Sequence, residues 1–197
     1  MEIVIASTNL HKIREFREIL KPFSHLDVLS LLNFPNYTPP PEQGSTFKEN
    51  ALLKAQHAVH ALKKNVLADD SGLVIPSLKG DPGVHSRRYA GDDATDAENR
   101  QKLLKELLGK PEHERAAYFE CCLVFAKPDG FIKTVKGLSE GRILLEERGR
   151  GGFGYDPLFV KNEYDKSFAE LDENIKNRIS HRRKALEKLF GLFEISS

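Results

Sequence analysis

The chain has 197 residues, in which 30 Lys and Arg side chains face 29 Asp and Glu side chains. A chain of this length can bury about 70% of the surface that its unfolded form exposes, so it needs neither a metal nor a disulfide to fold. The balanced charge excludes a protein that binds nucleic acid or an anionic membrane through its overall charge. Any anion site must therefore be a local cluster of charges. We therefore predict a single domain over residues 1–197 that binds neither nucleic acid nor a membrane.

The cysteines and the start of the chain predict a cytoplasmic location. Cys121 and Cys122 are neighbours in an apolar run, and adjacent residues cannot close an ordinary structural disulfide. Met1 leads directly into a strand-like segment without the features of an export signal, and no apolar run approaches the roughly 20 residues that span a bilayer. We expect reduced thiols in a cytoplasmic protein.

Hydrophobic periodicity predicts alternating strands and helices in the first half of the chain. Thr46 and Glu49 have the spacing of a capping box, and Asp69-Asp70-Ser71-Gly72 has the composition of a turn. The predicted elements are, in order, a strand at 2–6, a helix at about 9–21, a strand at 26–31, a helix from Thr46 to about 63, and short strands at 65–68 and 73–75.

The second half predicts a third helix, a hairpin and a final helix. Thr95 and Glu98 repeat the capping-box spacing, and the third helix ends at Gly109 with its leucines turned inward. The remaining predicted elements are hairpin strands at 116–127 and 131–138, a short strand at 158–160, and a helix capped by Ser180. This pattern is typical of an α/β domain with a mixed β-sheet flanked by helices.

Residues 149–157 form a glycine-rich segment with the chemistry of a nucleotide site. Its glycines let backbone N–H groups approach an anion, Phe153 and Tyr155 offer flat faces to a base, and Asp156 accepts hydrogen bonds. The alternative interpretation is that glycine and proline only separate two strands here.

Ser7, Thr8, Asn9, Leu10, His11 and Lys12 lie where the first strand meets the first helix. A helix N-terminus at the carboxyl end of a strand favours anions, and Lys12 is placed one turn in, where it can reach a phosphate. The alternative is a simple N-cap by Thr8 or Asn9. The sequence contains no Gly-rich lysine loop of the P-loop type.

Acidic residues supply candidates for catalysis and for a metal. If the strand persists through Asp69 and Asp70, their side chains point to opposite faces and only one enters a given site. A carboxylate there can hold Mg²⁺ and orient a water, and a further ligand is expected from Glu42, because Glu49 is already explained by the capping box. The alternative for Asp69 and Asp70 is an ordinary turn.

Cations cluster around the start of the last helix, at Lys176, His181 and Arg182. Positive charge is unfavourable at a helix N-terminus, which indicates a use in contacting an anion or a base. The alternative is a solvated surface.

These segments together resemble the inosine/xanthosine triphosphate pyrophosphatase family, in order along nearly the whole chain. The segments that carry the resemblance are residues 7–12, 44–51, 68–73, 151–157 and 179–182. The resemblance implies a homodimeric, Mg²⁺-dependent enzyme that hydrolyses ITP, dITP and XTP to the monophosphate and pyrophosphate. It also implies an elongated mixed sheet in two lobes with a central active-site cleft.

Carried over by position, the resemblance assigns roles to individual residues. Asp70 becomes the proton acceptor and a metal ligand, Ser71 contacts substrate, and residues 7–12 hold the phosphates. The residues placed around the base are Phe153, Gly154, Tyr155, Asp156, Lys176, His181 and Arg182. The chain departs from the family at Pro41, where many relatives have an acidic residue, so Glu42 alone remains of that acidic pair.

Two other functions remain open from the sequence. One is a nucleotide pyrophosphatase with another base preference, such as modified pyrimidines. The other is a nucleotide sensor that binds without catalysis. In each of these readings the partner is a small nucleoside triphosphate.

Overall fold

The computed structural model of the chain describes residues 1–194, which form an α/β fold around one six-stranded sheet. The strands lie in the order β2-β1-β3-β4-β5-β6. The strands are β1 (Glu2–Ile5), β2 (Asp27–Ser30), β3 (Val66–Val74), β4 (Ala116–Ala126), β5 (Ile132–Ile143) and β6 (Phe159–Lys161). The helices are α1 (Leu10–Leu20), α2 (Phe47–Leu62), α3 (Asp96–Glu106), α4 (Glu173–Ile179) and α5 (His181–Glu187).

The sheet is mixed, as predicted. β1 pairs in parallel with β2 and with β3, whereas β5 and β6 are antiparallel. In the parallel part, Ile5 is opposite Ser30 on one side and Leu67 on the other. The carboxyl ends of β1 and β3 therefore lie side by side, which brings the start of α1 to the aspartates of β3.

The chain divides into two compact units, each with its own hydrophobic core. The first unit comprises Met1–Ser71, Cys121–Gly137 and the described residues from His181 onward, and the second comprises Gly72–Glu120 and Leu138–Ser180. Phe16 of α1 and Phe125 of β4 are fully buried in the first core, and Phe159 and Phe168 are buried in the second. Each unit thus buries apolar side chains of its own.

The helices α2 and α3 begin directly after the capping residues that the sequence predicts. The Thr46 hydroxyl accepts a hydrogen bond from Glu49 N, and Thr95 forms the full reciprocal capping box with Glu98. The Glu49 carboxylate differs slightly from the prediction, because it accepts from the backbone N–H of Ser45 instead of Thr46. Glu49 is still accounted for by the helix cap.

Three sequence predictions were wrong in detail. β3 runs unbroken through Asp69-Asp70-Ser71-Gly72, so the predicted turn is part of one strand. α4 precedes the final helix, where no helix was predicted. α3 ends at Glu106, and Leu108, predicted to face inward, is 81% exposed.

Cys121 and Cys122 are both buried, and neither forms a disulfide. Burial raises the pKa of the Cys121 thiol well above its ordinary value, so it stays protonated at neutral pH. None of the helices in residues 1–194 has the length and apolar character to cross a bilayer.

Candidate active site

The first unit gathers charged side chains around the adjacent aspartates of β3. Asp69 is 2% exposed and Asp70 is 5% exposed, so neither carboxylate is hydrated enough to remain charged without partners. Because side chains alternate along a strand, the two carboxylates meet different partners. Each set of partners suits a different task.

Asp69 lies among cations. Its Oδ2 atom is 3.0 Å from Lys12 Nζ and 3.7 Å from Arg182 Nε, and it accepts a hydrogen bond of 3.0 Å from Ser71 Oγ. Burial alone would raise the pKa of Asp69, but Lys12, Arg182 and Lys54 together lower it well below its ordinary value. Asp69 is therefore a permanent anion that holds these cations in place.

Arg182 is anchored from several directions within the same unit. Its guanidinium donates from Nη1 to Glu15 Oε2 at 2.7 Å and from Nη2 to Ser71 Oγ at 2.8 Å. Glu15 is 5% exposed on the core side of α1. Burial disfavours the Arg182 charge, but the carboxylates of Glu15 and Asp69 outweigh it and raise the pKa of Arg182. The result is a fixed buried cation at the start of α5.

Asp70 has a different environment. Its Oδ2 accepts a hydrogen bond of 2.9 Å from Asn50 Nδ2, and its Oδ1 lies 3.7 Å from Lys54 Nζ. Burial raises the pKa of Asp70 above its ordinary value, although Lys54 and Lys12 act to lower it. A carboxylate whose pKa is raised by desolvation beside cations is suited to accept a proton.

Lys54 joins Asp70 to Glu42. Its ammonium is 3.0 Å from Glu42 Oε1, and Lys54 itself lies on α2 with only 9% of its side chain exposed. The carboxylates of Asp70, Asp69 and Glu42 raise the pKa of Lys54 despite its burial. Lys54 therefore stays charged beside the candidate proton acceptor.

Glu42 and Asp70 suit a hard divalent cation through the chemistry of their donor atoms. Both carboxylates face the single Lys54 ammonium, so they already converge on one positive charge. Within residues 1–194, the protein offers no group of three or more acidic, His or Cys ligands at one point. Mg²⁺ commonly takes one or two carboxylates and completes its shell with water and substrate phosphates, so the pair fits it.

The start of α1 is capped by its own residues. Asn9 Oδ1 accepts hydrogen bonds from the backbone N–H groups of His11 and Lys12, and Ser7 Oγ accepts from Asn9 N. This arrangement matches the N-cap interpretation for Asn9. Thr8, Leu10 and His11 are exposed beside it, so a ligand can still approach the turn.

The second unit holds the glycine-rich turn and Lys176. Asp156 Oδ2 accepts from the backbone N–H of Phe153 at 2.8 Å and from Lys176 Nζ at 2.6 Å. The Lys176 ammonium lies 5.0 Å from the centre of the Phe153 ring, which is half-buried. A flat aromatic face next to a fixed donor can bind a base by stacking and by a hydrogen bond.

The structure divides the predicted site residues between the two units. Ser7 to Lys12, Glu42, Asp70, Ser71, His181 and Arg182 belong to the first unit, and Phe153 to Asp156 and Lys176 belong to the second. Tyr155 packs in the second core, and its hydroxyl donates to the Ser86 carbonyl at 2.9 Å. His181 is buried at the start of α5. Base contacts by Tyr155, His181 and Arg182 stay predictions.

Sequence reasoning did not identify Lys54, Asn50 and Glu15 as parts of the site. All three lie on amphipathic helices, where a polar side chain is usually assigned to solvent. Lys54 offered one signal, because it lies one helical turn from Asn50 and Ala51 on the buried side of α2.

Gly152→Ala is expected to damage the turn more than Gly154→Ala. Both glycines have positive φ, at 70° and 59°, but only at Gly152 would a Cβ overlap the Asp156 carboxylate. We expect Gly152→Ala to cost about 2 to 4 kcal/mol of unfolding free energy, from backbone strain plus overpacking. Gly154→Ala should cost only the strain, about 1 to 2 kcal/mol. Urea unfolding of both variants measures this, and equal losses would contradict it.

Comparisons with known proteins agree with this geometry. The model of the Ham1 family matches residues 3–192. A dITP/XTP pyrophosphatase from Protochlamydia amoebophila is 60% identical over 197 residues, covering 98% of each chain. A solved Ham1 protein from Coxiella burnetii has a TM-score of 0.87 and 42% identity, covering 98% of each chain. The Staphylococcus aureus Ham1 protein has a TM-score of 0.86 and 42% identity, covering 98% of this chain and 97% of the other.

The family model spans both units, including the aspartates of β3 and the glycine-rich turn. Both solved structures share 42% sequence identity with this chain, which is high enough to indicate more than a common fold. The chain belongs to the Ham1 family.

Proposed function

We propose that this protein hydrolyses the non-standard purine nucleoside triphosphates ITP, dITP and XTP to the monophosphate and pyrophosphate. The observation that carries the proposal is Asp70, a buried carboxylate of raised pKa between Asn50 and Lys54. The 60% identity to a dITP/XTP pyrophosphatase supports the substrate class.

In this mechanism the first unit binds the triphosphate and performs the chemistry. Lys12 and Lys54 supply positive charge to the phosphates, and Asp69 and Glu42 hold the two ammonium groups in position. Asp70 accepts a proton from the water that attacks the α-phosphorus, and pyrophosphate leaves. Asn50 donates to Asp70 and so orients its carboxylate toward the water.

Asp70 and Glu42 are the residues that would hold Mg²⁺. When bound, this ion neutralises charge on the phosphates, which is a large part of catalysis in phosphoryl transfer. The metal dependence is part of the proposal. Removal of Mg²⁺ with a chelator tests it, and hydrolysis should then stop.

The second unit binds the base. Phe153 stacks on any purine, so it does not choose among them. Lys176, which also donates to Asp156, is a donor that suits the keto group of hypoxanthine and xanthine, whereas the amino group of adenine places a second donor against it. A site built to donate to a keto oxygen can discriminate by about 10⁴ to 10⁵ against an analogue that cannot accept this hydrogen bond.

A substrate panel tests the proposed function. With Mg²⁺ present, we expect rapid release of pyrophosphate and monophosphate from dITP and XTP, and slow release from dATP. Equal rates from dITP and dTTP would instead indicate another base preference. Tight binding without product would indicate a sensor, and a diphosphate product would exclude this reaction.

The homodimer and the cytoplasmic location also belong to the proposal. The dimer rests on the family resemblance, and light scattering during gel filtration tests it by giving the mass in solution. The location is supported by two buried cysteines that form no disulfide, and fractionation of cells tests it.

A further inference from the structure

The backbone of Gly154 is held on both of its polar groups by one face of α3. Its N–H donates to Asp96 Oδ2 at 2.8 Å, and its carbonyl accepts from Arg100 Nη1 at 2.8 Å. Asp96 and Arg100 are four residues apart, which places their side chains next to each other on the helix. We refer to these two residues and their bonds to Gly154 as the α3 clamp.

The α3 clamp acts on a turn whose conformation is already fixed from the other side. Gly152 and Gly154 both have positive φ, and Asp156 accepts from the N–H of Phe153 between them. The backbone of Phe153 is therefore held at its own N–H by Asp156 and at the next residue by the clamped Gly154. The fixed backbone sets the direction of the Cα–Cβ bond of Phe153, whose ring lies 5.0 Å from the Lys176 ammonium.

The clamp residues are themselves held in place. Arg100 donates from Nε to Glu147 Oε1 at 2.8 Å and is only 14% exposed. Asp96 lies in the first turn of α3, next to the Thr95 cap, where a carboxylate is favoured by the helix dipole. The clamp thus connects the base-binding turn to a capped helix with charge-assisted hydrogen bonds, which are stronger than neutral ones.

We propose that Asp96 and Arg100 are positioning residues for base recognition, which set the orientation of Phe153 beside Lys176. This inference rests on the proposed function, because it requires the base to stack on Phe153. It predicts that loss of the α3 clamp weakens only the contribution of the base to nucleotide binding. The triphosphate site and the chemical step should stay intact.

Kinetics with two probes tests the proposal. We expect Asp96→Ala and Arg100→Met to raise KM for dITP about tenfold, because binding must then supply the free energy that orders the turn, which is at most that of the lost hydrogen bond. We expect kcat to change by less than about twofold, since the interaction is equal in the ground and transition states. The inhibition constant of inorganic triphosphate, which has no base, should not change.

Two further variants serve as controls. Asp96→Asn retains an oxygen that accepts from Gly154 N, so it should recover most of the affinity lost in Asp96→Ala. Asp93→Asn makes the same chemical change at an exposed position nearby and should behave as wild type. Amide hydrogen exchange gives an independent readout, because exchange at Gly154 should accelerate in Asp96→Ala and not in Asp96→Asn.

Two results would overturn the inference. One is an equal loss of affinity for dITP and for inorganic triphosphate, which would mean a general structural effect. The other is an unchanged KM for dITP in both clamp variants. If the wild-type protein releases no pyrophosphate from dITP, the proposed function fails separately. Calorimetric binding of dIMP then decides, and equal or undetectable binding in wild type and variants rejects the clamp's role.

Discussion

Asp70→Asn is expected to lower the rate of dITP hydrolysis by about 10²- to 10⁴-fold at pH 7, the usual contribution of a positioned general base. An amide cannot accept the proton of the attacking water, whereas its oxygen can still accept the hydrogen bond from Asn50. Binding of dITP should remain measurable. Single-turnover kinetics and calorimetry on the same preparation separate the two effects.

The same substitution should leave the fold at least as stable as wild type at pH 7. Because burial raises the pKa of Asp70 in the folded state, the folded protein binds more protons there than the unfolded chain does. Stability from this group therefore falls as pH rises through the raised pKa, and a neutral amide avoids that loss. In wild type, activity should decline as pH falls through the same raised pKa. A rate unchanged in Asp70→Asn would remove Asp70 from the mechanism.

Asp69→Asn is expected to have the opposite outcome, with a loss of about 3 kcal/mol or more of unfolding free energy. Asp69 is the shared anion between Lys12 and Arg182, and its side chain is 1% exposed. Replacing it leaves buried cations with less compensating charge. Urea unfolding at pH 7 measures the loss, and Asp70→Asn on the neighbouring residue is the matched control.

The pH dependence of stability gives a second test of Asp69. Its lowered pKa means that the unfolded chain protonates this carboxyl at a higher pH than the folded protein does. The stability it supplies is complete above the unfolded pKa of about 4 and is lost as pH falls through the lower folded pKa. The unfolding free energy, measured between pH 3 and 7, should thus depend less on pH in Asp69→Asn than in wild type at the acidic end of this range. Identical curves would show that Asp69 is not held as an anion.

The fold was predictable where local patterns decide it. The buried stripe of α1 and the caps at Thr46 and Thr95 follow from short-range chemistry, and the structure confirms them. The continuous β3 was not predictable, because Asp69-Asp70-Ser71-Gly72 has turn composition. Those carboxylates are tolerated within a strand only because distant cations neutralise them. α4 was missed since its seven residues are mostly polar, and its one signal was the Asp172 cap.

The candidate site was predictable to a similar extent. Motifs along the chain indicated the aspartates, Lys12 and the glycine-rich turn, and the family prediction is confirmed. Lys54 and Glu15 could not be identified, because their roles depend on charges that approach only in three dimensions. The predicted cleft between two lobes stays a prediction.

The position of Arg182 makes the site depend on contacts between segments that are far apart in the sequence. Asp69 receives one cation from Lys12, which is 57 residues away, and another from Arg182, whose bond to Ser71 spans 111 residues. Contacts of such long sequence separation form late in folding, because the loops between the segments must close first. Recovery of nucleotide hydrolysis during refolding should therefore follow the assembly of the whole first unit and lag behind the formation of its separate helices.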